Sequence, residues 1–151
     1  MTSAELKLGY EQVFTVTGYY DGPRQGVANF KAQPHFYDCI FDEAQQEYSN
    51  LYRLTPVAPD IFDLANEDWA IWQRWELAFH TGRTTLESHP ALPQERGRHE
   101  EIRAVLDSAL QRNSQNCIIR AGSFEAIGTP KLPKGVSRPL QVKWTEPNTG
   151  S

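Results

Sequence analysis

Residues 66–82 read NEDWAIWQRWELAFHTG, and this stretch decides the fold that we expect. Asn66 is suited to cap a helix N-terminus, and Gly82 can end the helix in the left-handed conformation. Between them, aromatic residues at helical spacing form one stripe: Trp72, Trp75 and Phe79. So much aromatic surface has to be covered. We therefore predict a helix that packs through this stripe on a sheet, with Trp72 and Trp75 mostly buried.

The residues before this helix indicate β-strands joined by short turns. Apolar and polar side chains alternate, as in Tyr37, Cys39 and Phe41 on one face of a strand and Asp38 on the other. The expected strands are residues 13–20, 26–31, 35–42 and 48–54. Sequential strands with short turns favour an antiparallel meander.

A second helix and two more strands follow. The helix is expected over residues 93–112, where Ile102, Leu106, Ala109 and Leu110 form an apolar stripe. The strands are expected over residues 117–127, with Gly122 marking a bulge, and over residues 140–145. A proline- and glycine-rich loop separates them.

The element order β-β-β-(β)-α-α-β-β predicts an α+β fold. Its sheet is expected to be antiparallel, strongly twisted and partly barrel-like, with five to six strands and the two helices inserted between the strand groups. We expect one domain over residues 1–146 and a flexible tail over residues 147–151.

Composition and charge disfavour several classes of protein. The 151 residues carry a net charge of −4, which disfavours nucleic-acid binding. No apolar run approaches the ~18 residues of a membrane span, and the first residues lack the features of a signal peptide. We therefore expect a cytoplasmic protein that contacts neither membranes nor nucleic acid. Cys39 and Cys117 form no CxxC pair, so a cysteine zinc site is not expected.

The first group of candidate site residues lies around the first strands. Its members are Tyr19, Tyr20, Asp21, Arg24, His35 and Asp38. A carboxylate beside a histidine can orient it as a general base. This yields a hydrolase-like hypothesis in which His35 works with Asp21 or Asp38. The spacing matches no catalytic signature, and a strand-edge histidine with a turn-forming aspartate is the simpler interpretation.

The second group consists of scattered histidines and acids: His80, His89, His99, Glu95, Glu100 and Glu101. Such side chains can ligate a divalent metal, but their spacing does not follow the HExxH pattern. Glu95 and His99 are equally suited to an ordinary i,i+4 surface pair. We predict neither a bound metal nor a cofactor.

Two further features favour binding. Trp69 lies at the edge of the aromatic stripe and is the tryptophan that we expect to be exposed, as a pocket wall or an interface residue. Residues 114–151 carry two acidic and five basic residues, a net charge of +3. Within this region, Lys131, Lys134 and Arg138 lie on one loop and are expected to contact an acidic partner.

The sequence contains no GxGxxG, GxxxxGK[ST] or GxSxG motif, so catalysis is not the expected role. We predict a small, non-enzymatic binding or accessory module that acts through protein or ligand contacts. Its expected binding residues are Trp69, Tyr20, Arg24, Lys131, Lys134 and Arg138. The small enzyme built on His35 is the alternative, and a purely structural role in an assembly is the third. The oligomeric state stays open.

Overall fold

A computed structural model describes residues 6–113, 116–127 and 137–147, which form six strands and two α-helices. The elements are β1 (Glu11–Tyr19), β2 (Pro23–Phe30), β3 (Gln33–Asp42), β4 (Glu47–Pro56), α1 (Pro59–His80), α2 (Arg96–Asn113), β5 (Ile118–Ala126) and β6 (Leu140–Thr145). Two short 3-10 turns, Leu86–Ser88 and Pro93–Glu95, lie between the helices. Within the described ranges, neither helix is apolar enough over its length to cross a membrane.

The strands form a closed antiparallel barrel in the order β1-β2-β3-β4-β5-β6, which confirms the predicted α+β class and the insertion of the helices between strand groups. The closing seam between β6 and β1 is short. Glu11 pairs with Val142 and Gln12 with Gln141. Beyond Gln12, β1 pairs only with β2 among the described residues. β1 and β6 are therefore paired at one end of the seam only. Along the rest of β1, the edge that faces away from β2 has no strand partner among the described residues.

The barrel interior is filled by four large aromatic side chains: Tyr37, Tyr52, Phe124 and Trp144. Neighbouring ring centroids in this group lie 5.2–6.3 Å apart. Gly122 pairs in regular register with Trp144, so the predicted bulge at Gly122 is wrong. A Cβ atom at Gly122 would lie 2.5 Å from the Trp144 ring, and this close approach is the reason for the glycine.

The two helices pack on the outer face of the barrel. Adjacent residues of β2 and β3 point to opposite faces, so Ala28 and Tyr37 fill the interior while Val27 and Phe36 meet the helices. The helical side of this layer consists of Ile61, Ala65, Ile71, Ile102, Leu106 and Ala109. The apolar stripe predicted for the second helix is thereby confirmed.

The ends of α1 confirm one sequence expectation and correct another. The helix begins at Pro59, with Ala58 as N-cap, so Asn66 is an interior residue and the predicted cap is wrong. Proline suits the first helical turn because that turn needs no intrahelical donor. Gly82 has φ +79°, its N–H donates to the Phe79 carbonyl, and the next N–H donates to the Ala78 carbonyl. These are the bonds of a Schellman end, as the glycine predicted.

The aromatic stripe of α1 covers a different surface from the expected one. Trp75 is 3% exposed, and its ring contacts Trp72, Phe79 and His89. Its indole N–H donates to Ser88 Oγ at 2.8 Å. The predicted burial of Trp75 is confirmed, but its partners belong to α1 and to the segment between the helices. Trp72 is only partly covered.

Candidate functional site

A groove lies between α1 and the open part of β1, and we call it the α1–β1 groove. It consists of three adjacent cavities of about 460, 350 and 430 Å³. Val16 and Trp69 line all three. Because the cavities share these residues, a single elongated molecule can occupy more than one of them.

Local backbone features keep the groove open. The register between β1 and β2 shifts around Phe14 and again around Thr17, which are bulges that bend and twist the strand. Residue 139, directly before β6, is a proline and cannot donate to a ladder. Glu76 is buried on α1, and its carboxylate accepts the N–H and the O–H of Ser137 at 3.1 and 2.7 Å. These bonds tie the residues before β6 to the helix rather than to β1.

A histidine–carboxylate pair lies in the largest cavity of the groove. Asp68 Oδ1 of α1 lies 2.6 Å from His99 Nδ1 of α2. An ionised carboxylate only accepts, so Nδ1 carries the proton and donates to Asp68. Throughout the described ranges, every buried side-chain nitrogen and oxygen has a hydrogen-bond partner. Nε2 of His99 has none there, so it is accessible.

A cation lies beside this pair. Arg103 follows His99 by one helical turn and lines the same cavity. Its guanidinium donates to Asp107 Oδ1 at 2.8 Å, and the Asp107 side chain is 64% exposed. Exposed i,i+4 pairs contribute about 0.3–0.5 kcal/mol, so this one competes weakly with a bound anion.

The four tryptophans fall into two classes. The indole N–H of Trp75 donates to Ser88 Oγ, and that of Trp144 donates to the Asn29 carbonyl, both at 2.8 Å. Trp69 and Trp72 line the groove, and their indole N–H groups have no partner among the described residues. The groove therefore offers two aromatic faces and two indole donors that no described residue occupies.

Several predicted binding residues can be placed. Trp69 lines the groove and is half-buried, as Trp72 is, so it does not stand out as the exposed tryptophan. Arg138 is exposed and lines two of the three cavities. Lys131 and Lys134 lie outside the described residues. The role of these four residues in binding stays a prediction.

Four residues of the first-strand group, Tyr19, Tyr20, Arg24 and Asp38, line a further polar cavity of about 550 Å³, which shares Tyr19 with the α1–β1 groove. Arg24 donates to the carbonyl oxygens of Tyr20 and Asp21, at 2.6 and 2.9 Å, and stacks 4.5 Å over the Tyr48 ring. Asp21 has φ +55° in the turn. Arg24 therefore holds the turn between β1 and β2.

The structure does not bring His35 to these residues. His35 is buried, with Nδ1 2.8 Å from the Gln33 carbonyl and its ring against Phe30. Asp38 accepts from Gln25. His35 and Asp38 are three residues apart on β3, so they lie on opposite faces at ~10 Å. The hydrolase-like hypothesis thus has no supporting contact.

The histidines of the second group form no shared cluster of ligands within the described residues, although His89 and His99 line the same cavity of the groove. His80 contacts Phe79, and His89 contacts the Trp72 and Trp75 rings. The expected Glu95–His99 surface pair does not form, because Glu95 is bound bidentately by Arg74. Glu100 and Glu101 are exposed on α2. In the part of the chain that the structure describes, no group of three or more His, Cys, Asp or Glu residues could hold a metal ion.

The Asp68–His99 pair is the functional feature that the sequence analysis missed. Asp68 lies three residues after Ala65 and three before Ile71, on the stripe that packs on the barrel. His99 likewise lies three residues before Ile102. A charged residue at a buried helical position requires a partner. The place of Asp68 on the apolar stripe was therefore the sequence signal that could have indicated a buried pair.

Comparisons of the chain with protein-family models, with curated proteins and with solved structures found no match.

Proposed function

We propose that the protein is a binding module whose α1–β1 groove takes a planar, mainly apolar small molecule with one anionic group. The observation that carries this proposal is that Trp69 and Trp72 line the groove with exposed ring surface and with indole N–H groups unpaired among the described residues. Both are partly exposed in one concave groove, and both indole donors are free within the described ranges. Aromatic walls with a few convergent polar groups are typical of small-molecule sites.

Charge in the groove favours an anion. Arg103 lines one end and Arg138 the other, although the whole chain has a net charge of −4. The acidic residues that line the groove are already engaged, Asp68 by His99 and Glu76 by Ser137. Arg103 is held only by its exposed pair with Asp107, and Arg138 is exposed, so both can bind a carboxylate, sulfonate or phosphate.

The shape of the groove favours a small molecule over a protein partner. Its cavities of about 350–460 Å³ match the lower range of ligand pockets. A stable protein partner needs a contact surface of roughly 800 Å² on each side, and a concave groove of this kind is typical of small-molecule sites instead. The protein partner expected for Lys131 and Lys134 stays a separate hypothesis.

Two fluorescent probes test the proposal because they differ by one anionic group. 8-Anilinonaphthalene-1-sulfonate (ANS) carries a sulfonate, and N-phenyl-1-naphthylamine (NPN) has the same aromatic system without it. Both are expected to bind with a fluorescence increase, ANS about tenfold more tightly, which is ~1.4 kcal/mol. Equal affinities, or no saturable binding of either probe, would contradict the proposal.

Three variants locate the site. Trp69→Ala is expected to weaken both probes about tenfold or more, because it removes a wall shared by all three cavities. Arg103→Ala is expected to weaken ANS alone. Arg112→Ala is the matched control, since it removes an arginine from the same helix outside the groove. Equal losses of ANS affinity in Arg103→Ala and Arg112→Ala would exclude this groove as the ANS site.

A further inference from the structure

The Asp68–His99 pair has a geometry that binding alone does not require. The Asp68 carboxylate accepts from Nδ1, so in the neutral imidazole the proton lies on Nδ1 and Nε2 carries the lone pair. The side chain of His99 is 18% exposed, that of Asp68 is 9% exposed, and both line the largest cavity of the groove. A histidine held by a buried carboxylate, with its second nitrogen accessible, is arranged as a base.

We propose that His99 is a general base that removes a proton from the molecule in the groove, with Asp68 as its positioning residue. This inference rests on the proposed function. Nε2 forms a bond to the proton, and the electron pair of the broken bond stays on the bound molecule. His99 becomes an imidazolium next to the Asp68 carboxylate and then returns the proton to the product or to water.

The surroundings of the pair fit this chemistry. Proton removal leaves negative charge on the bound molecule. Arg103 lines the same cavity, and the free indole donors of Trp69 and Trp72 lie on its wall. Donors that already surround the site stabilise charge as it develops. A purely structural ion pair would need neither an accessible Nε2 nor a neighbouring cation.

The probe substrate is 5-nitrobenzisoxazole, a planar aromatic molecule of the size of the cavity. A base takes the proton from its ring carbon, the electron pair of the C–H bond completes a nitrile, and the N–O bond breaks. The electrons leave on oxygen as a coloured cyanonitrophenolate. No oxidant, reductant or second substrate is needed, so the rate reports proton removal directly.

Wild-type protein is expected to accelerate this reaction above an equal concentration of free imidazole. His99→Gln is expected to lower kcat/KM about 100-fold, the lower end of the range for general-base catalysis. His80→Gln is the matched control, because it removes an exposed histidine outside the groove. After the rate with imidazole alone is subtracted, added imidazole is expected to restore part of the rate in His99→Ala and to leave the wild-type rate unchanged.

Asp68→Asn tests the positioning role. The amide keeps the shape of the carboxylate but can donate to Nδ1, which moves the imidazole proton to Nε2. We expect kcat to fall with KM unchanged. The ¹⁵N shifts of His99 are expected to show the changed tautomer. ANS affinity serves as the folding control and is expected to stay within about twofold of wild type.

The outcomes separate this inference from the proposed function. Saturable ANS binding without a His99-dependent rate would overturn the catalytic role and leave the binding role standing. A His99-dependent rate without ANS binding would support the base and overturn the anionic ligand. A loss of rate in His89→Gln instead of His99→Gln would overturn the assignment of the base.

Discussion

Trp75 and Trp144 differ from Trp69 and Trp72 in how their indole N–H groups are used. The first two are hydrogen-bonded inside packed surroundings. The second two are partly exposed along the α1–β1 groove, and no described residue accepts from them. Burial of an indole requires a partner for its donor, whereas a binding surface leaves the donor for the ligand. The comparison therefore distinguishes tryptophans that stabilise the fold from tryptophans that line the proposed binding site.

The largest expected effect is on the packed pair. Trp75→Ala and Trp144→Ala are expected to lower the free energy of unfolding by ~3–5 kcal/mol each, because Trp75 is buried and the partly buried Trp144 ring packs against Tyr37, Tyr52 and Phe124 inside the barrel. Trp69→Ala is the comparison variant and is expected to cost less than about 1 kcal/mol, since its partly exposed ring lines a groove and its indole N–H donates to no described residue. Urea denaturation measures all three. Equal losses of unfolding free energy in Trp69→Ala and Trp75→Ala would show that the two tryptophans do not differ in their contribution to the fold.

A smaller effect is expected from the glycine that faces Trp144. In Gly122→Ala, the new Cβ atom would lie 2.5 Å from the Trp144 ring and 3.0 Å from Tyr52. The barrel interior must shift to admit it, at ~1–3 kcal/mol. Gly97→Ala on α2 is the matched control, because nothing lies within 4 Å of its Cβ position. That control is expected to be neutral or stabilising by up to ~1 kcal/mol. A stable Gly122→Ala protein with unchanged unfolding would show that the Trp144 packing is loose.

The smallest effect concerns pH and the tyrosines of the interior. Burial raises the pKa of Tyr37 and of Tyr52 above the value of about 10 for an unfolded chain. Above pH ~10 the unfolded chain loses protons that the native protein keeps, so the free energy of unfolding falls as the pH rises. Tyr37→Phe is expected to make this fall shallower in denaturation series between neutral and alkaline pH. An unchanged slope would show that Tyr37 titrates alike in both states.

The sequence predicted the strands and helices because alternation and helical spacing are strong local signals. Leu140, Val142 and Trp144 show this for β6, and Val142 and Trp144 do face the barrel interior. The start of α1 was misplaced because Asn66 has the chemistry of a cap. The apolar positions Ile61 and Ala65 continue the same stripe toward Pro59.

The site was harder to predict because it depends on contacts between distant residues. Asp68 and His99 are 31 positions apart and meet only when α1 and α2 pack together. The groove itself exists because β6 pairs with only two residues of β1. The sequence marks Asp68 as a charged residue on an apolar stripe but does not identify its partner, and the short seam leaves no local pattern at all. The sequence suggested His35 as the candidate base instead, because Asp21 and Asp38 lie close to it along the chain.

The central claim is that the α1–β1 groove is a ligand site, and the four indole N–H groups report on it directly. A ¹H–¹⁵N correlation spectrum, assigned with single Trp→Phe variants, gives one indole signal for each tryptophan. On titration with ANS, the signals of Trp69 and Trp72 are expected to shift to saturation, while those of Trp75 and Trp144 keep their positions. Saturable shifts of Trp75 and Trp144 alone, or no shift of any indole at saturating ANS, would contradict the account.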